Sequence, residues 1–131
     1  MTDAEKALIA YRMERAQQAI IEAKTLFDAG LLNAYVNRLY YACFYAVSAL
    51  LLTKKLSTSK HSYLRSLMHR EFVKTGLIPK ELGKHFDLLF NNRMKGDYGD
   101  FVRFKSEDVA GWLENTKRFI DHVESLIPKL T

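Results

Sequence analysis

The chain has 131 residues, 48% of them hydrophobic and 27% charged, and a formal net charge of +5. That length can bury a real core, so one domain over residues 1–131 is expected. The single cysteine, Cys43, excludes an internal disulfide and fits a reducing, cytoplasmic setting, and the charges spread through the first thirty residues do not resemble a secretory leader.

Residues Asp3 to Ala29 predict a long amphipathic helix: Ile9, Met13, Ala16, Ile20, Ala23 and Phe27 share one stripe, and Gly30 stops it. Asn33 is placed to cap a second helix that runs to about Lys54. Within it, Leu39 to Leu52 reads LYYACFYAVSALLL, where only Ser48 is neither apolar nor aromatic. Fourteen residues are too few for a membrane-spanning helix, which needs about 20, so no membrane partner is expected. With neither strand alternation nor a Gly or Pro break, the run predicts a helix with no wet face. Such a helix is central to a bundle or covered by a second copy of the chain, and its missing solvent face points to a homodimer interface.

Residues 55–60 form a polar connection, and a third helix is expected from His61 to Thr75, burying Leu64, Leu67, Met68 and Phe72 before Gly76 ends it. Pro79 suits the first turn of a fourth helix with Leu82, Phe86, Leu89 and Phe90 inward, its pattern dissolving at Gly96. The two glycines of GDYGDFVRFK predict a loop over residues 96–105. Ser106 then caps a last helix whose Val109, Trp112, Leu113, Phe119, Ile120, Val123 and Ile127 face inward, and Pro128 closes it. Long helices with short connections give an all-α, up-and-down bundle.

The charge is uneven. Lys54 to Lys105 carries twelve Lys/Arg and five Asp/Glu, a local +7, and the remainder sums to −2. A phosphate-rich partner would favour that basic middle through steering and counterion release. A solvated lysine surface accounts for it equally well.

Two constellations could carry chemistry. On the second helix Arg38, Tyr41, Tyr45 and Ser48 share a stripe beside Asn37, opposite Leu39, Ala42, Ala46 and Ala49. Arginine next to tyrosines can hold a phosphate and stack a base; equally, Arg38 can pair with an acid while the tyrosines simply pack. Farther on, NNRMKGDYGD offers Arg93, Asp97 and Tyr98, where Asp97 can pair with Arg93 four residues away or orient it toward a phosphate. His61, opening the third helix in KHSYLR, can act as acid or base near neutral pH. No spacing among His61, His69, His85 and His122 reads as a metal motif, no glycine-rich phosphate loop occurs, and neither metal nor cofactor is expected.

Taken together, NRLYYACFYAVSALL, KHSYLRSLM, NNRMKGDYGDF and the closing FKSEDVAGWLENTKRFIDHVESL resemble, in order and character, HEPN-domain proteins, and most of all the small stand-alone prokaryotic members. The resemblance implies four main helices and a shorter accessory one, usually in a dimer. It also implies a toxin-like protein partnered by a small nucleotidyltransferase antitoxin. Active members are metal-independent ribonucleases with an arginine followed after four to six residues by a histidine; two copies meet in one dimer cleft, where histidine assists 2′-hydroxyl attack and arginine stabilises charge. Here Arg93 matches, but the histidine positions hold Tyr98, Gly99 and Asp100. A phenol of ordinary pKa near 10 is a poor base at neutral pH. The expectation is therefore a nucleotide- or RNA-binding, weakly catalytic or non-catalytic member using Asn37, Arg38, Tyr41, Tyr45, His61, Arg93, Asp97 and Tyr98. The alternative is a divergent ribonuclease in which His61 or Tyr98 serves Arg93.

Overall fold

The computed structural model describes the chain at residues 1–98 and 102–131, with side chains at residues 1–95 and 102–131. Its elements are α1 (Asp3–Asp28), α2 (Leu32–Leu52), α3 (His61–Met68) with a π-helical turn at His69–Val73, α4 (Lys80–Tyr98), α5 (Ser106–Val109) and α6 (Trp112–Leu130). Among the described residues there is no strand. The long helices α1, α2, α4 and α6 form the bundle, and α3 with its π-turn is the shorter accessory piece, as the sequence implies.

Of the predicted stripes on α1, α3 with its π-turn, and α4, Ile9, Met13, Ala16, Ile20, Ala23, Leu64, Leu67, Met68, Phe72, Phe86 and Leu89 lie in the core, and Phe27, Leu82 and Phe90 pack half-buried against it. A reciprocal capping box between Thr2 and Glu5 opens α1. The predicted glycine stops both adopt the left-handed conformation that a Cβ would disfavour, Gly30 at φ 74° and Gly76 at φ 81°. Helix α2 packs against α1, α3, α4 and α6, and of its residues from Leu39 to Leu52 only Tyr41, Phe44 and Tyr45 are not buried. The chain's own helices thus cover the apolar run, and its burial requires no second copy. Cys43 is fully buried there, and loss of hydration pushes its thiol pKa up.

Several boundaries differ from the sequence reading. Helix α2 starts at Leu32 without a side-chain cap, and Asn33 instead donates to the Val102 carbonyl at 3.4 Å. The third helix changes at His69 into a π-turn. Helix α4 continues through Gly96 to Tyr98, so residues 96–98 are not loop; one glycine costs a helix only about 1 kcal/mol. Residues 99–101 of that predicted loop lie outside the described residues, and 102–105 have no regular structure. Lys105, not Ser106, occupies the capping position of α5, and the last helix is broken between Val109 and Trp112, with Pro128 inside α6.

Tyr35 of α2 secures that break. Its hydroxyl donates to the Val109 carbonyl at 2.8 Å and accepts from the Leu113 N–H at 3.1 Å, so one buried phenol serves both helix ends. Tyr35→Phe should cost about 1–3 kcal/mol, because it leaves both groups unpaired in the core, and urea unfolding measures the loss.

A second buried polar pair joins α4 to α6. His85 is 7% exposed, and its Nε2 lies 2.9 Å from the hydroxyl of Thr116, which itself donates to the Trp112 carbonyl at 2.7 Å. The hydroxyl proton being used, Nε2–H of a neutral imidazole is the donor. Burial lowers the pKa of His85 to about 4 from 6.5. Between those values the unfolded chain binds a proton that the folded chain does not, so stability is full above pH 6.5 and falls as the pH drops toward 4. His85 should contribute a loss on the order of 3 kcal/mol over that range. His85→Gln should flatten the pH profile of urea unfolding in that window.

Candidate functional site

Helices α2, α3 and α4 meet around Tyr40, a residue absent from the predicted set. Its hydroxyl is 2.7 Å from Nδ1 of His61, and the guanidinium of Arg93 lies over its ring at 5.1 Å. Phe86 and Phe90 of α4 pack against the same ring at 5.8 and 6.0 Å. Buried phenols normally find a polar partner. Here that partner is the imidazole that the sequence singled out.

Tyr41 forms the second surface of the site. Its ring lies beneath two guanidinium groups, Arg38 at 4.9 Å and Arg93 at 5.6 Å, and meets His61 edge-on at 5.8 Å. His61 also packs against Phe44 at 4.6 Å. Arg93 and His61, remote in sequence, thus share one aromatic floor. Arg93 is only 7% exposed, and the tyrosine faces supply the electrostatic attraction that favours a cation there.

Partial burial, and secondarily the positive charge of Arg93, lower the pKa of His61 below its ordinary value. The imidazole is therefore neutral at pH 7. Two tautomers satisfy its contact with Tyr40, whose own pKa is raised by burial so that the phenol stays protonated. With the proton on Nδ1, the ring donates to the phenol and Nε2 keeps a lone pair for use as a base. With the proton on Nε2, the phenol donates to Nδ1 and Nε2–H can donate to a phosphate oxygen. Either form is useful beside a cation.

The remaining predicted residues are distributed around this centre. Arg38 is held by Asn37, whose Oδ1 accepts from Nε at 3.3 Å and Nη2 at 2.9 Å, and by Glu22 of α1 at 3.5 Å. That partly exposed ion pair contributes little energy but orients the guanidinium over Tyr41. Tyr45 belongs to α1's side: its hydroxyl accepts from Arg15 at 3.0 Å, and the Arg15 guanidinium lies 5.0 Å from its ring centre. Ser48 is buried, and its carbonyl accepts from Arg12 at 3.2 Å. Asp97 and Tyr98 continue the backbone of α4, and their side chains lie outside the described residues.

Arg15 and Tyr40 are the participants that sequence reasoning missed. Arg15 lies on the solvent side of α1, where only packing against α2 reveals it. Tyr40 stands four residues from both Val36 and Phe44 in an apolar run and so reads as packing, although a buried hydroxyl asks for a partner.

This arrangement sits within a recognisable lineage. The model of the HEPN domain family matches residues 9–126, so the chain belongs to the HEPN family. It is 47% identical over 130 residues to a Thermotoga maritima protein named "UPF0332 protein", covering 99% of this chain and 98% of that one. It is also 29% identical to a Methanocaldococcus jannaschii protein named "Putative toxin MJ0142", over 88% of this chain and 78% of that one. A second protein of that archaeon, "Putative toxin MJ0605", is 30% identical over 90% of this chain and 87% of its own. Among the described residues no helix is long and apolar enough to cross a membrane, and no three His, Cys, Asp or Glu side chains converge as metal ligands would.

Replacing Arg93 should raise the pKa of His61, since one cause of its depression is removed. The Cε1–H resonance of His61, followed by NMR against pH, should have a higher midpoint in Arg93→Met than in the parent. An unmoved midpoint would mean that the two groups do not sense each other.

Proposed function

We propose that this HEPN protein binds an RNA strand or nucleotide where Arg93, His61, Tyr40 and Tyr41 converge, acting as the toxin-like member of a pair with a nucleotidyltransferase. The observation that carries this reading is the Arg93 guanidinium held on two tyrosine faces beside a neutral imidazole. A guanidinium pairs with phosphate oxygens, the partly exposed rings of Tyr41 and Phe44 offer aromatic contact to a base, and Nε2–H of His61 can donate to the same phosphate. The local charge of +7 between Lys54 and Lys105 adds steering. The toxin names of two relatives support the wider setting. A homodimer, with two such clefts side by side, suits the partly uncovered rings of Tyr41, Phe44 and Tyr45. The lone buried thiol suits a cytoplasmic location.

Anisotropy titration with a fluorescent RNA oligonucleotide tests the binding. Affinity should fall with salt, and Arg93→Ala should weaken it about 10- to 100-fold, the loss expected when charge-assisted bonds to phosphate disappear. Unchanged affinity in that variant would refute the site.

A second reading, a metal-independent ribonuclease, is supported by one specific observation: His61 and Arg93 both contact the rings of Tyr40 and Tyr41. In that reaction Nε2 takes the 2′-hydroxyl proton, the 2′-oxygen attacks phosphorus, the bond to the 5′-oxygen breaks to leave a 2′,3′-cyclic phosphate, the departing 5′-oxygen takes a proton back from the imidazolium or water, and Arg93 stabilises the phosphorane charge. Cleavage in the presence of a chelator should fall 100- to 10,000-fold in His61→Ala, the usual contribution of a positioned base. Its rate should rise with pH through the lowered pKa of His61 and level off by neutrality. Absence of cleavage across several RNA classes by well-folded protein would leave the binding function alone.

A further inference from the structure

The π-turn after α3 builds a second cationic recess that the Arg93 site does not use. The Lys74 N–H bonds to the His69 carbonyl at 2.8 Å, five residues back instead of four, and the wider turn brings Lys74 round to the face of Arg65, His69 and Arg70. These four side chains and Ser66 line a cavity of about 410 Å3. The recess is braced from α4. Asp87 accepts from Nε of Arg65 at 2.7 Å and lies 2.9 Å from Nε2 of His69, fixing both. Gly83 allows α4 to approach so closely: a Cβ there would stand 3.1 Å from Cγ2 of Val73 and 3.5 Å from Cε1 of His69. Facing acids are Asp87 and Glu71, the latter 3.4 Å from Nε of Arg70, and they do not offset three permanent cations.

The recess and the Arg93 site are parts of one surface. His61 and Arg65 of α3 and His69 at the start of the π-turn succeed one another at four-residue spacing, so their side chains share one face. The Arg65 guanidinium lies over Phe90 at 5.2 Å, and Phe90 packs on Tyr40 at the centre of the other site. From His61 to His69 the helix rises about 12 Å. A stacked strand covers that distance in three to four nucleotides, at about 3.4 Å each.

We infer that the pocket of Arg65, His69, Arg70 and Lys74 is a phosphate subsite for the same RNA strand, receiving a backbone phosphate three to four nucleotides from the one at Arg93. This rests on the reading of the Arg93 site as an RNA contact. The subsite contacts backbone only, so it sets the strand's direction and the shortest tight-binding length, not its sequence.

The test uses an octauridylate and the dinucleotide UpU with the full chain and with Arg70→Ala/Lys74→Ala, two exposed positions whose change leaves the core intact. The double variant should bind the octamer at least tenfold more weakly. The slope of log affinity against log salt should flatten by about 0.7, the value for one lost phosphate contact on a single strand. UpU, too short to span both sites, should bind both proteins alike. If Arg93→Ala weakens the octamer and the double variant does not, the subsite is refuted and the Arg93 contact stands. Equal losses for octamer and dinucleotide would reduce the recess to general charge and overturn it. A parent protein that binds neither RNA would overturn both proposals.

Discussion

Enclosing α2 is the constraint on which the rest of this bundle depends. An apolar run like Leu39 to Leu52 cannot keep a face in water, and α1, α3, α4 and α6 close over all of it but Tyr41, Phe44 and Tyr45. The gap that remains is where the protein can present a ring, a cation and an imidazole together. Every phenol that the enclosure buries must then find a partner: Tyr35 finds one at the break between α5 and α6, and Tyr40 at the start of α3. One phenol ties down the broken helix; the other holds His61.

The same enclosure explains how chemistry can be assembled from residues that are distant in the chain. Arg93 arrives on α4 and His61 at the first turn of α3, and the rings of α2 bring the two together. Tyr40 and Tyr41 offer their faces to Arg93, the Tyr40 hydroxyl bonds His61, and Arg38, oriented by Asn37, lies over Tyr41. An imidazole comes near this arginine from another helix, through the ring of Tyr40 that both engage.

Periodicity made much of the fold legible. Stripes on α1, α3 and α4 bury where spacing placed them, because a 3.6-residue period leaves few alternatives, and Gly30 and Gly76 end their segments for a steric reason visible in the residue type. What escaped was the number of covering helices. Burial of Leu39 to Leu52 can be met by the same chain or by another, and the residues read identically in both cases. Gly96 misled because a single glycine weakens a helix without ending it. The break at Ala110 and Gly111 was hidden because both flanks continue one apolar pattern, and only Tyr35, far upstream, stitches it. The approach of His61 to Arg93 follows from tertiary packing, as does the engagement of Tyr45 by Arg15, and neither leaves a local signature.

Cys43, deep in the enclosed helix, gives the bundle an internal reporter. Its sulfur is sealed from solvent and its pKa raised, so the thiolate that alkylating agents and oxidants attack is scarce in the closed molecule. Its modification must wait for the covering helices to part. The rate of thiol labelling therefore reads how often this core breathes, and binding at the aromatic window would slow that clock in proportion to how firmly it holds the helices shut.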